Sequence, residues 1–403
     1  IVDLSREFLN SNGAERHANA HILPGHVWQP QFAGSNFEEK LENLVTDLNV
    51  CSQKGLGENI RDRIPNPVLK GLAIAIVIIA IFIGNVAYET GNITGGILGI
   101  QAVFDVPMIP IVIVLGILAF ACMWVGSYKL VEKILTGIVV LMGIVFFVTA
   151  LFSPVDWGAV AAGLFTPQLP AGQEASKGIL TAVGLIGTTI VPYNLFLHAS
   201  GAAERFKDPE QIADARFDCV LSIGLGGIIS MAILICAAAN IYGNTGITVS
   251  NGKDMAMALE PLLGSWATFM IGVGLLAAGF SSAITAPLSA AYAVNGVLGW
   301  GKTLKDIKFK VIWMIVLVLG CVMAVTLGKS PTQLILVAQA ANAILLPIMA
   351  FFVMYVANGK ALGKWRNHAF ANICGVIFIG ITLFMCWRNM SSFLASLQTL
   401  IGA

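Results

Sequence analysis

The sequence predicts an all-α integral membrane protein with about nine transmembrane helices. Three observations carry that class. Of the 403 residues, 57% are apolar and 11% charged, and mean hydropathy is +0.82, a composition suited to lipid rather than water. Apolar runs of about 18 residues or more recur along the chain from residue 68 onward. Lysine and arginine gather in alternate connections between those runs, the pattern of a chain that crosses a bilayer repeatedly. A net charge of +1 excludes a strongly basic nucleic-acid binder, so no nucleic-acid partner is expected. No G-x-x-x-x-G-K-[ST] or G-x-G-x-x-G pattern follows a strand-like segment, which argues against coupling to ATP within this chain.

Residues 1–67 read as a non-membrane segment, either a short soluble helix or a disordered stretch. They hold no run long enough to span, and they carry His17, His21 and His26 beside a mixed-charge stretch from Glu38 to Asp47. No carboxylate or cysteine sits at ligand spacing from those histidines, so a metal site is not read there. A start at Ile1, without methionine, is read as a fragment, an unusual start codon or a truncated gene.

The membrane domain is placed at 68–390, with spans at 68–88, 108–127, 133–152, 178–200, 218–241, 264–296, 310–328, 332–357 and 369–387. The sixth run is over-long and must tilt or begin outside the hydrocarbon. Lys129 and Lys133 follow the second run, Arg205, Lys207 and Arg216 the fourth, Lys302, Lys305, Lys308 and Lys310 the sixth, and Lys360, Lys364 and Arg366 the eighth. With Lys54, Arg61, Arg63 and Lys70 they mark one side, which the positive-inside rule makes cytoplasmic, N-terminus included. The seven cysteines are scattered and contain no C-x-x-C pair, so they read as packing residues.

The fourth run departs from a regular helix. Gly184, Gly187, Thr188, Thr189 and Pro192 crowd its middle, and proline removes a backbone donor where hydrocarbon offers no water to the freed carbonyls. Two readings fit: a proline kink that shapes packing, or a break whose carbonyls line a cavity and coordinate ions near mid-membrane.

From about Gly55 the sequence resembles the Nramp family of divalent-metal transporters. V-P-Y-N-L-F-L-H from Val191 to His198 is similar to the family's sixth-helix M-P-H-N-x-x-L-H; G-F-S-S-A-I-T-A-P-L from Gly279 to Leu288 is similar to its eighth-helix G-Q-S-S-T-I-T-G-T-L; and A-Q-A-A-N-A-I-L-L-P from Ala338 to Pro347 matches its tenth helix in the glutamine and proline. The resemblance implies a leucine-transporter-type fold of two inverted repeats, with helices one and six broken, in a bacterial inner membrane. The nine spans would be family helices three to eleven. Helices one and two, with the family's metal-binding D-P-G-N, have no counterpart beyond faint traces at Pro24-Gly25 and Ala33 to Phe37, so the domain reads as N-terminally truncated.

The resemblance places metal-site positions at Gly187, Thr188, Val191, Asn194 and Gln339, with Thr189 and Asn342 lining the cavity. Val191 stands where the family has a methionine, and the loss of that soft thioether, with Thr188 added, favours a hard cation held by oxygen. Tyr193 replaces the family's first histidine and His198 keeps the second, while Asn85 and Tyr88 stand at the family's third-helix acids, leaving Glu89 as the nearest carboxylate. Tyr193, His198, Asn85 and Glu89 are therefore the gating or proton-path positions, and Glu89 is read either as an intramembrane functional acid or as a solvated residue at the outer interface. The expected function is secondary transport of a divalent cation, magnesium or manganese, by alternating access around 187–192. Protons are a candidate coupling ion, no cofactor is held permanently, and no enzymatic activity is expected. The alternative is a truncated, non-transporting relic.

Overall fold

The computed structural model describes residues 45–46, 50, 52–126, 129–158, 160–161, 192–242, 251–300, 305–327, 346–359, 367, 369, 372–384 and 386–387. The helices named below are α1 (Leu56–Arg63), α2 (Pro67–Val103), α3 (Met108–Val125), α4 (Lys129–Phe152), α5 (Pro192–Arg205), α6 (Ile212–Ala237), α7 (Ala267–Leu298), α8 (Ile307–Leu327), α9 (Leu346–Ala357) and α10 (Asn372–Phe384). Among the described residues six long apolar segments reach membrane-spanning length, matching the first, second, third, fifth, sixth and seventh predicted runs. The described parts of the other three are α5, α9 and α10.

Side chains such as Ile79, Ile83, Ile113, Ile117 and Val318 stay exposed on the outside of the bundle, where lipid replaces water. Lipid removes the hydrophobic drive between helices, so close backbone approach and dispersion hold them together. The tightest example is the antiparallel pair α2 and α7. A Cβ on Gly279 would fall 2.6 Å from both the Asn92 carbonyl and the Gly96 amide, so only glycine lets the two backbones meet there.

Helix α2 is longer than its predicted span. Asn66 caps it by accepting from the amides of Val68 (2.9 Å) and Leu69 (3.2 Å), with Pro67 at the first helical position. It then runs 37 residues, about 55 Å at 1.5 Å per residue. The predicted span ends at residue 88, where polar and glycine residues follow. The helix tolerates them because the Thr90 and Thr94 hydroxyls donate to the carbonyls of Val86 and Thr90, at 2.8 and 2.7 Å, and because the glycines seat α7.

Packing also begins upstream of residue 68. Leu56 and Ile60 of α1 are fully buried in a core cluster with Ile81, Leu195, Phe196, Val297 and Met349, and Val45 joins it. Asp62 on the exposed face of α1 meets Lys54 at 2.7 Å and Arg61 at 3.0 Å. Burial alone would push its carboxyl up, but the two cations outweigh this and hold it below its ordinary value.

The helix ends alternate as the charge pattern requires. α7 stops at Gly299 in the left-handed region (φ +72°), with the Trp300 amide closing on the Asn295 carbonyl at 2.9 Å. Lys310 at the start of α8 lies 3.9 Å from the ring centroid of Trp124 at the end of α3, and Lys308 lies 4.9 Å from that of Trp300. Asn358 after α9 exchanges two amide hydrogen bonds with Asn372 of α10, at 2.8 and 2.9 Å. These ends, with α1, share one basic end of the bundle. α6 passes into a π turn at Ala238–Tyr242, where the Asn240 amide donates to Ser153 Oγ (2.9 Å) and the Ala258 carbonyl (3.0 Å).

Candidate functional site

The described part of helix α5 runs from Pro192 to Arg205. Gly187, Thr188, Thr189 and Val191, together with the expected interruption upstream of Pro192, lie outside the described residues, as do Gln339 and Asn342. The described part of the site is the first turn of α5 and what surrounds it.

Tyr193 is held from two sides. The Ser289 hydroxyl of α7 donates to its backbone carbonyl at 2.5 Å, and the Tyr88 ring of α2 packs edge-on against its ring, centroids 5.1 Å apart at 66°. Ser289 is buried and Tyr88 half-buried. Asn194, the next residue, is half-buried, and Leu195 and Phe196 anchor the turn in the core. Further down α5, His198 Nε2 and Thr46 Oγ1 are 2.7 Å apart, which ties the helix to the upstream segment.

Asn85 and Tyr88 lie three residues apart on α2, and each carries a polar atom that finds no partner among the described residues: Asn85 Oδ1 and the Tyr88 hydroxyl. Asn85 spends its amide on the Ile81 carbonyl at 2.8 Å, which leaves the acceptor available. Glu89 turns to another neighbour. Its stem lies so close to Gly320 of α8 that a Cβ there would collide with Glu89 Cβ and Cγ. Glu89 Oε2 accepts from Asn92 Nδ2 at 3.4 Å, and Oε1 has no partner among the described residues.

The interface reading of Glu89 is thereby corrected: the residue is 0% exposed, because α2 continues past it and α8 covers it. Tyr193 and Tyr88 come together; Glu89 packs against Gly320 of α8, and His198 lies about a turn further along α5. Sequence reasoning did not single out Ser289; its signal was a hydroxyl in a long apolar run, a group that needs an acceptor when buried. One misleading pattern also resolves. Gly296 to Thr303 spells G-V-L-G-W-G-K-T, but its first three residues close a transmembrane helix, whereas a phosphate loop follows a strand. Among the described residues no three histidine, cysteine, aspartate or glutamate side chains gather as a metal site.

The sequence profile of the family described as "Natural resistance-associated macrophage protein-like", Nramp, matches residues 40–392. The chain belongs to the Nramp family. Similar Nramp relatives include the "Divalent metal cation transporter MntH" of Yersinia pestis (strain Pestoides F), 24% identical over 356 residues that make up 85% of this chain and 82% of that protein. The protein of the same description from Caldanaerobacter subterraneus subsp. tengcongensis is 25% identical over 308 residues, 74% of this chain and 70% of that one. Among solved structures, an Eremococcus coleocola manganese transporter in complex with an aromatic bis-isothiourea substituted compound superposes with a TM-score of 0.73 at 18% identity, covering all of this chain and 86% of that one. An inward facing conformation of Mhp1 aligns with a TM-score of 0.50 at 14% identity, covering 92% and 85%. The Nramp fold here is accordingly an all-helical membrane bundle of the leucine-transporter type.

Proposed function

We propose that this Nramp chain is a secondary transporter that moves a divalent cation by alternating access around residues 187–192. The observation that carries the reading is the first turn of α5, held inside the bundle between Ser289 of α7 and Tyr88 of α2 immediately after the Gly-Thr-Pro stretch. Pro192 brings no backbone donor to the carbonyl one turn before it, and a hard cation is a natural occupant for a carbonyl freed in that way. The relatives named as divalent metal cation transporters support the same cargo class.

In this reading Gly187, Thr188 and Asn194 supply oxygen ligands, Gln339 joins them from the segment before α9, and Thr189 and Asn342 line the path. Val191 offers no ligand atom, which favours magnesium, with manganese as the softer competitor. Tyr193 and His198 gate the path. Glu89, buried between α2 and α8, carries protons if transport is symport. The basic end faces the cytoplasm of a bacterial inner membrane, with lipid around the bundle.

The test is uptake of Mn2+ and Mg2+ by the purified chain in liposomes, with calorimetry for binding. Saturable uptake of either ion is expected. Absence of uptake and of binding for every divalent ion tried would overturn the reading and leave the non-transporting relic.

A further inference from the structure

One short segment supplies a side-chain donor to the C-terminal end of three different helices. Gln53 Nε2 donates to the Phe206 carbonyl just beyond α5 at 3.0 Å, Arg61 Nη1 to the Gly296 carbonyl of α7 at 3.3 Å, and Arg63 Nη1 to the Val356 carbonyl of α9 at 3.4 Å. The Gly296 and Val356 carbonyls also accept from the amides of Gly299 (3.3 Å) and Gly359 (2.9 Å), so the two arginines add a second, cationic donor at the negative end of each helix dipole.

The three ties differ in character. On α7 the segment is seated backbone to backbone, because a Cβ on Gly57 would fall 2.9 Å from the Val297 amide nitrogen. On α9 it holds by Arg63 at the long edge of hydrogen-bond range. On α5 it holds by a strained hook. Gln53 has φ +53°, the left-handed region that a side chain disfavours, and its amide bridges the Val50 carbonyl at 2.7 Å to the end of α5. Thr46 against His198 adds a second polar tie to the same helix.

We infer that residues 53–63 are a closing bar across the basic end of the bundle, fixed on α7 and released from α5 and α9 when that end opens, with Gln53 as the hook. α5 descends from the candidate ion site and α9 follows the segment bearing Gln339, so a path from the site to this end requires those helices to part from the bar. The inference rests on the alternating-access reading for its role, but its first test needs no transported ion.

In a chain with the seven native cysteines replaced, Asn194→Cys reports access to the site through labelling by a membrane-impermeant maleimide applied at the basic end, without metal. Gln53→Gly keeps the left-handed backbone and deletes the hook. It should raise the labelling rate about fivefold, and Gln53→Gly with Arg63→Ala about tenfold, while Arg63→Lys restores the Arg63 share. Labelling unchanged by Gln53→Gly overturns the proposal. The second arm is a cross-link. A Cβ on Gly55 lies 3.2 Å from Ser200 Oγ, so Gly55→Cys with Ser200→Cys should oxidise to a disulfide that binds the bar to α5. Oxidation should cut Mn2+ uptake at least about tenfold and reduction should restore it. Uptake undiminished by the cross-link overturns the bar. A reduced protein that moves no divalent ion counts against the transport reading, while the labelling arm still decides the bar.

Discussion

The hydroxyl of Ser289 donates to the backbone carbonyl of Tyr193, joining the middle of α7 to the first turn of α5. Ser289 is fully buried, and the carbonyl it satisfies lies two residues after the Gly-Thr-Thr-Ile-Val segment that Pro192 closes. The bond ties the Tyr193 end of the described α5 to α7.

Ser289→Ala should lower stability by about 1 kcal/mol, the ordinary net worth of one hydrogen bond. Its effect on uptake should be larger than that loss explains, because the start of α5 is no longer fixed. Thermal melts in detergent beside uptake in liposomes check this. Equal, small effects on both would reduce Ser289 to packing.

Gly279→Val places a side chain where the backbones of α2 and α7 touch, and should cost about 3 kcal/mol or prevent folding, since neither backbone can yield. Gly71→Ala, with open space around it, should be tolerated. Expression and melting temperature of the two variants make the comparison.

Glu89→Gln keeps the shape and the acceptor for Asn92 but cannot exchange a proton. If protons move through Glu89, uptake driven by a pH gradient disappears in the variant while uptake driven by the cation gradient persists. Parallel pH dependence in both proteins would rule Glu89 out as the carrier.

Val191→Met should raise Mn2+ or Cd2+ uptake relative to Mg2+, because sulfur contributes to soft cations and little to hard ones. Thr188→Val should impair Mg2+ uptake by removing an oxygen at nearly constant volume. Unchanged selectivity in an active Val191→Met protein would mean that position 191 does not face the ion.

Asp62 gives a pH signature for α1. Its carboxyl is held below the ordinary value, so its contribution to stability is complete above the unfolded carboxylate range near pH 4 and fades as pH falls through the lowered value. Asp62→Asn should remove that acid-side slope by lowering the melts near pH 7 to the level reached in acid, while leaving melts below the lowered value little changed. A slope that survives the substitution belongs to another carboxylate.

The bundle was legible in the sequence wherever a run was apolar throughout, as in Met108–Val125 and Ile307–Leu327. It was not legible where polarity was satisfied inside the helix. Thr90 and Thr94 read as the end of a span because their bonds to Val86 and Thr90 carbonyls cannot be seen in a list of residues. The same blindness left the interface reading of Glu89 open. α1 escaped notice for the opposite reason, since Leu56 and Ile60 are two apolar residues in a polar stretch, and their burial depends on helices more than a hundred residues later. The candidate site was legible as a stretch through Pro192, Tyr193 and Asn194. Its tether was not, because a hydroxyl reveals its acceptor only once α7 lies beside α5.

The glycine contact between α2 and α7 divides the molecule into parts that can and cannot travel. Two backbones touching without intervening side chains have no rotamers to rearrange and no soft layer to shear, so α2 and α7 behave as one strut. α1 rides on that strut through Gly57. Whatever rocks during a transport cycle must therefore rock against this trio, and α5, held to it by side-chain hydrogen bonds and an aromatic edge, is the piece with the freedom to swing.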